Sequence, residues 1–556
     1  MRIILKQVKR VMCIILTLLL LSSAFCVEVF AQDVPARKTL MHGSYTLYAL
    51  YSETTEEEYF YSDSFFDKSG KETDEHLRTL SAAVCFSLNQ ITKNNGSGSV
   101  LKQIGFSDVV MYDMNGSTSD SIGTVIAKKK IGDSTVVALM LRGYNYGGEW
   151  VSNFHCGSEG DANGFSLSAQ KVLERLKTYL NDNNITDAKI WVTGYSRSAG
   201  VANLVGKHLN ENLQYYSTAE DDIYVYAYEP PNCSADGTTY ENIHNIIDSR
   251  DFIAYVYPAA WGLSRCGVTE MIGDSDKMIM SKKFALMGEN LMTDYQEVNL
   301  AEFLDEYVTF LSQYISRETY ENDVEGYFCS ISEMVFSLNE SQRAELLAFL
   351  KQFSEEFAND ENTPNALLNL VGSNIKDKYY EELVTLILSD MDKAYEKVGF
   401  PLGEEQFEEL KDVVHPLIFT LKPALKADFA LKKVNASGKT TTVALYYLLT
   451  LLGNLRELVG YHIYDSVYDH LAAADSFFGD NDMMLIGDSD GDGSVTVLDA
   501  TAIQKDLARL YNIEEDRTAV CDADYDGEVT IMDATCIQKY LAALGNPYHI
   551  DEFLLD

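Results

Sequence analysis

The sequence predicts an α/β architecture, a largely parallel sheet with helices on both faces, followed by a small all-α module. Three observations carry this. Apolar, β-prone runs alternate with helix-period segments between about residues 106 and 248. One junction, AKIWVTGYSRSAGVANLV over 188–205, passes from strand to helix at a single serine-centred elbow. An acidic loop near the C-terminus recurs with a period of 34 residues, each copy running on into DATxIQKxLA.

Bulk properties frame these signals. A chain of 556 residues with 46% hydrophobic content and 9 prolines has material for two or three packed units rather than a disordered polymer. Its formal charge of −40 repels nucleic-acid backbones and anionic membrane faces, and no basic stripe offsets it. Arg2, Lys6, Lys9 and Arg10 precede an apolar run over 11–21 and then Val29-Phe30-Ala31, the pattern of a secretory signal over 1–31. That run is shorter than the ~20 residues of a membrane span, and Phe25 is too bulky for lipid attachment at Cys26. Of nine cysteines, seven remain beyond that segment, widely spaced and without C-x-x-C, so we expect buried thiols rather than a disulfide framework.

In chain order, Tyr45, Leu47, Tyr48, Leu50 and Tyr51 predict a strand, followed by an acidic loop and a helix over 76–89. Strands are predicted over 106–112, 123–130 and 136–141, the last ending at Arg142-Gly143-Tyr144. FSLSAQKVLERLKTYL over 165–180 is amphipathic and helical. The elbow follows: Ile190, Trp191 and Val192 stop at Gly194, and Ala199, Val201, Ala202, Leu204 and Val205 take up helical spacing. Strands over 223–228 and 243–248 complete the sheet, with Asp251 just past the second. Helix-period segments at 300–314, 340–357, 380–398 and 441–459 predict a large helical insertion over about 275–455.

The elbow carries the chemistry. A serine at a tight strand-to-helix turn stands above the sheet end, and the helix behind it aims backbone amides at a forming oxyanion. Such a hydroxyl attacks an acyl carbon only when an imidazole takes its proton and a buried carboxylate holds that imidazole in one tautomer. The end of the strand at 136–141 is the natural place for the second oxyanion donor.

Four segments over about 101–258 resemble the class 3 lipase family of α/β-hydrolases: Arg142-Gly143 with Trp150, Asn163-Gly164-Phe165, VTGYSRSAGVANL and NIIDSRDFIAYVYP. The chain departs from the family at Tyr195 for His, Arg197 for Leu, Ser198 for Gly, and Tyr144 where a small hydroxyl residue is usual. The resemblance implies an α/β-hydrolase domain over 32–480 with Ser196 as nucleophile and the amides of Arg197 and Tyr144 as oxyanion donors. It implies Asp251 as the acid, with Asp248 as the alternative, and His462 as the base, with His470 as the alternative. No cofactor is expected for that chemistry. The Arg197 cation beside the nucleophile raises the expectation of an acidic or sugar-bearing substrate.

The terminal repeat places Asp488, Asp490, Asp492, Ser494, Thr496 and Asp499 at loop positions 1, 3, 5, 7, 9 and 12, with Gly493 at position 6. Asp522, Asp524, Asp526, Glu528, Thr530 and Asp533 repeat that spacing around Gly527. Carboxylates so placed converge on one hard cation, which predicts two structural Ca²⁺ sites with helices running from Asp499 and Asp533. Two such loop–helix units over 487–545 resemble a type I dockerin, assigned here to 485–556, and imply docking to a cohesin module. Loop positions 10 and 11 are the apolar pairs Val497-Leu498 and Ile531-Met532, which either face a partner or pack inside the module.

Taken together, the sequence predicts a secreted serine hydrolase of carboxylic esters, on acylglycerols or on acyl or feruloyl groups of plant polysaccharide, joined to a cohesin-bearing extracellular complex. Neither nucleic-acid binding nor stable membrane insertion is expected. The alternative from another class is a non-catalytic binding module on a hydrolase scaffold.

Overall fold

The computed structural model describes residues 38–47, 55–88, 99–114, 120–143, 148–273, 316–323, 433–436, 439–442, 464–478 and 483–555, with a few single residues between them. The chain divides into two units, residues 43–479 and residues 480–556 together with the N-terminal stretch through His42. The expected signal over 1–31 and most of the insertion over 275–455 lie outside the described residues.

In the larger unit, seven strands lie side by side in sequence order: β1 (Ser107–Tyr112), β2 (Thr124–Ile131), β3 (Ser134–Leu141), β4 (Ala188–Tyr195), β5 (Ile223–Tyr228), β6 (Ile243–Asp248) and β7 (Val268–Ile272). The first three are antiparallel, β2 and β3 being joined through Gly132 at φ 55°. From β3 to β7 every pairing is parallel. Parallel neighbours need crossovers, and helices supply the first of them. β5 and β6 are buried at every position, β5 as an unbroken apolar run between two covered faces and β6 with His244, Asn245 and Asp248 hydrogen-bonded inside. The edge strands β1 and β7 are largely exposed, and β1 carries a register shift that blunts its edge.

α1 (Glu75–Ser87), capped by Asp74 accepting from the Leu77 amide at 2.8 Å, covers one face. Trp191 of β4 is fully buried and its indole N–H donates to Ser81 Oγ at 2.8 Å, while the Tyr228 hydroxyl donates to the Arg78 carbonyl. α2 (Asn163–Asp182) and α3 (Arg197–Glu211) pack Phe165, Val172, Leu176, Val201 and Val205 with Val137, Ile190 and Val225 in a continuous core. Removing one large side chain from such a core costs about 3–5 kcal/mol. α4 (Tyr464–Ala474) lies against α1 and sends the Tyr468 hydroxyl to the Glu58 carbonyl.

Within the larger unit, the elements differ from the sequence expectation in the following places. Thr55–Tyr61, read as an acidic loop, is a strand whose glutamates lead and whose Tyr59, Phe60 and Tyr61 are buried. β7 was not anticipated. Within the insertion, Lys433–Ala436 pairs antiparallel with Lys439–Thr442, so that region is not helical throughout. The helix Arg317–Asp323 also falls there; Arg317 donates to the carbonyls of Gly157 at 2.6 Å and Cys156 at 2.9 Å.

In the smaller unit, α5 (Val497–Leu507) and α6 (Ile531–Leu541) each open on a capping box, Thr496 with Asp499 and Thr530 with Asp533. They start two residues before Asp499 and Asp533, and enclose Ile486, Ala500, Ile503, Ala534, Ile537 and Ile550. The C-terminal strand Phe553–Leu554 pairs with Leu40 and Thr39. Among the described residues all seven cysteines are free thiols, and no helix is long and apolar enough to cross a membrane.

Candidate functional site

β4 ends at Tyr195 and α3 begins at Arg197, which leaves Ser196 alone to turn the chain. It does so at φ 57°, ψ −123°, a conformation that L-residues adopt only under constraint. The constraint is visible. The Ser196 amide donates to the Tyr228 carbonyl at 2.8 Å, continuing the β4–β5 ladder one residue past its end. At Gly194 a Cβ would lie 2.4 Å from the Ser198 carbonyl oxygen, so only glycine admits α3 this close. Ser198 does more than stay small: its Oγ accepts from the Tyr195 amide at 2.7 Å and faces the carbonyls of Tyr195 and Leu141 at 2.8 and 3.3 Å. A glycine there could not tie β3 to the elbow.

Arg197 begins α3, so its amide belongs to the turn whose N–H groups have no intrahelical acceptor. Its side chain corrects the expectation of a cation facing substrate. The residue is 2% exposed, and its guanidinium donates to Ser168 Oγ at 2.9 Å, the Gly164 carbonyl at 3.1 Å and Asn153 Oδ1 at 3.2 Å, over the Phe165 ring. It packs between α2 and the preceding loop rather than over Ser196. Tyr144, the second expected oxyanion donor, lies outside the described residues, but what flanks it is defined. The Arg142 guanidinium binds Glu149 and the Met114 carbonyl, and all of Glu149 is buried. Burial lifts the Glu149 carboxyl above its ordinary range, against the pull of Arg142 and Arg197.

Three carboxyl groups gather at the ends of β5 and β6, next to the elbow, and all are fully buried: Glu229, Asp248 and Asp251. Asp248 is taken up by Arg250, whose amide and Nε reach Oδ1 at 2.9 Å and whose terminal nitrogen reaches Oδ2 at 2.8 Å. His470 of α4 stands beside that pair, its Nδ1 3.9 Å from Asp248 Oδ2 and its Nε2 3.5 Å from the Arg250 guanidinium. Asp251 instead accepts the Ile253 amide at 2.8 Å on Oδ1, capping a short 3₁₀ turn. Sequence reasoning missed Glu229. The signal was a charged residue ending the apolar run IYVYAY, immediately before Pro230-Pro231. His462 lies outside the described residues.

The acidic loops are a second, separate site. Carboxylate oxygens of Asp488, Asp490 and Asp492 lie within 4.8 Å of one another, as do those of Asp522, Asp524 and Asp533. Gly493 and Gly527 sit at φ 84° and 93°, supplying the sharp turn at position 6. Ser494 and Glu528 follow, their amides donating to Asp492 at 3.0 Å and Asp526 at 2.9 Å. Thr496 and Thr530 spend their hydroxyls as helix caps, accepting from Leu498 at 3.0 Å and Met532 at 3.1 Å. Asp499 and Asp533 fold back onto the Thr496 and Thr530 amides, each at 2.7 Å. The oxygen-only set fits a hard dication on one further observation. Asp524 Oδ1 is buried without a hydrogen-bond partner, and burial plus Asp533, Asp526 and Asp522 push that carboxyl up to about 6. Val497, Leu498 and Ile531 are more than half exposed, so these apolar side chains do not pack inside the module, and Met532 is half-buried.

Residues 486–542 match the family model of the dockerin type I domain. No curated protein matches the chain. Among solved structures, the chain is similar to the Rhizomucor miehei lipase propeptide complex at 15% identity, covering 36% of this chain and 70% of that one, with a TM-score of 0.28. It is similar to a lipase from Rhizopus microsporus var. chinensis at 15% identity, covering 36% and 74%, TM-score 0.28. For lipase II from Rhizopus niveus the values are 14%, 36%, 80% and 0.28. The paired acidic loops of the smaller unit thus fall within the residues that match the dockerin type I domain.

Proposed function

We propose that this chain is a secreted serine hydrolase of carboxylic esters, held to a cohesin-bearing extracellular complex by its C-terminal module. The observation that carries the hydrolase reading is the backbone of Ser196, strained at φ 57°, ψ −123° between a buried parallel strand and a helix N-terminus. A serine that only ended a strand would have no reason to hold that conformation. In this reading Ser196 Oγ attacks the ester carbonyl carbon while His462 takes its proton, and the alcohol leaves with that proton returned; water, deprotonated by the same imidazole, then attacks the acyl-serine, the acid is released and the proton goes back to Ser196 Oγ. Asp251 fixes the tautomer of the imidazole and stabilises its cation. The amides of Arg197 and Tyr144 receive the oxyanion. Asp251 is favoured over Asp248 because Arg250 already satisfies both Asp248 oxygens. His462 is favoured over His470 because the His470 ring meets that same ion pair.

For the module, two Ca²⁺ ions are assigned to the loops, one held by Asp488, Asp490, Asp492, Ser494, Thr496 and Asp499, the other by Asp522, Asp524, Asp526, Glu528, Thr530 and Asp533. Calcium supplies charge neutralisation among crowded carboxylates. The exposed Val497, Leu498 and Ile531 form the apolar part of the cohesin-facing surface. Acyl groups of plant polysaccharide are the preferred substrates, with acylglycerols the alternative, because a dockerin brings its enzyme to a surface complex. The test is a panel of acetyl, feruloyl and acylglycerol esters assayed with wild type and Ser196→Ala, alongside labelling by a serine-directed phosphonate. Turnover and labelling that both vanish in the variant support the proposal; wild-type protein that neither turns over nor labels removes it.

A further inference from the structure

Glu229 occupies a place where a glutamate is costly. It follows β5 at φ 54°, a left-handed backbone that favours glycine, and its side chain is 0% exposed. Its main-chain amide donates to the Ile246 carbonyl at 2.8 Å, which carries the β5–β6 ladder one residue further, just as Ser196 does between β4 and β5. Glu229 therefore stands one strand over from the nucleophile, between it and Asp251. One carboxyl oxygen, Oε1, accepts the Asp248 amide at 2.7 Å. The other, Oε2, is buried and meets no N–H or O–H donor among the described residues, and the Asp251 carboxyl is near enough to the Glu229 carboxyl for the two to act on one another. Two buried carboxyls facing one another cannot both be ionised. A single proton resolves both problems, satisfying Oε2 and turning repulsion into a hydrogen bond.

We propose that Glu229 is a positioning residue for Asp251, its neutral carboxylic acid donating an O–H···O hydrogen bond that holds the Asp251 carboxylate toward the imidazole. This rests on the reading of Asp251 as the triad acid. Burial, and then Asp251 itself, push the Glu229 carboxyl well above its usual range. The charged groups around the pair divide by role. Asp248 is neutralised by Arg250, with His470 at its far side. Arg265, half-buried, whose guanidinium donates to the Pro230 carbonyl at 3.1 Å and to that of Ala254, sets a positive charge near both Glu229 and Asp251. The net result is one negative charge on the pair, on Asp251, which already accepts the Ile253 amide on its other side. A second negative charge would raise the basicity of the imidazole and hold it protonated at neutral pH.

The experiment compares full-length wild type, Glu229→Gln and Glu229→Leu in infrared difference spectra at pH 7 and in pH profiles of ester turnover. Glutamine keeps an acceptor for Asp248 and a donor for Asp251; leucine keeps neither. The expected result is a protonated-carboxyl C=O band in wild type that Glu229→Gln removes, and an acidic limb of kcat/KM that Glu229→Gln leaves in place. Glu229→Leu is expected to lose kcat by about tenfold or more at unchanged KM. An absent band, or an acidic limb moved about one pH unit lower in Glu229→Gln, means that the carboxyl is ionised and overturns the proposal. Glu229→Leu with wild-type kcat overturns it as well. A wild type with no turnover and no phosphonate label at Ser196 defeats the hydrolase reading first, an outcome distinct from each of these.

Discussion

At the scale of single residues, burial and local geometry decide role more than residue type does. Arg197 illustrates this: beside Ser196 in sequence, it is spent on Ser168, Gly164 and Asn153 in the interior. Arg197→Ala should therefore leave those partners without their donor and cost about 2–4 kcal/mol. Thermal unfolding would show the loss, while the ratio of acidic to neutral ester turnover should stay constant. Ser196 gives a second case. Glycine accepts φ 57° without the Cβ penalty, so Ser196→Gly should be more stable than Ser196→Ala by about 1 kcal/mol, with both inactive. Equal melting temperatures for the two variants would show the turn to be unstrained. Asp524 supplies the pH dependence. Its folded pKa of about 6 lies above the ordinary aspartate value, so the folded module without calcium binds the extra proton, and its stability falls as pH rises through about 4 to 6. Saturating Ca²⁺ should remove that decline, which denaturant melts at several pH values would measure.

At the scale of elements, VVALML of β3 and IYVYAY of β5 were legible as unbroken apolar runs, the mark of strands covered on both faces, whereas IHNIID of β6 showed only its isoleucines. β5 and β6 were read to the residue, and the elbow was legible because Gly194, Ser196 and Ser198 leave few alternatives for the backbone. What sequence could not show was pairing imposed from outside. Thr55–Tyr61 opens on glutamates whose solvent exposure imitates a loop, and VTEMI of β7 is mostly exposed at the sheet edge, without the contrast that marks a face. Glu229 escaped for a related reason, since nothing in EPP says that the side chain turns inward toward a second carboxyl. The helix starts in the terminal module were set two residues late because Asp499 and Asp533 were read only as ligands, while the capping boxes place them at the third helical position. The elbow makes its own prediction. Gly194→Ala drives a methyl against the Ser198 carbonyl at 2.4 Å, which backbone cannot yield cheaply. The variant should lose phosphonate labelling and at least about 2 kcal/mol of stability together; a labelled, stable variant would mean the elbow relaxes.

At the scale of the whole molecule, the two units rest on different physics. Residues 43–479 have a core of large apolar side chains, whereas the terminal unit is small and gathers carboxylates in two loops. Chelation should accordingly lower one calorimetric transition and leave the other in place, and a single unaltered transition in EDTA would remove the calcium assignment. The thiols offer a way to watch this. Cys521 and Cys536 are enclosed in the terminal core, and burial pushes them up to about 11 and about 12, far from the thiolate that alkylating reagents need. Cys85 is similarly held at about 12 inside the larger unit. While its unit stays folded, each of these three sulfurs is shielded chemically as well as sterically. Each one becomes reactive only when its own unit opens, which makes the natural sequence its own pair of unfolding reporters.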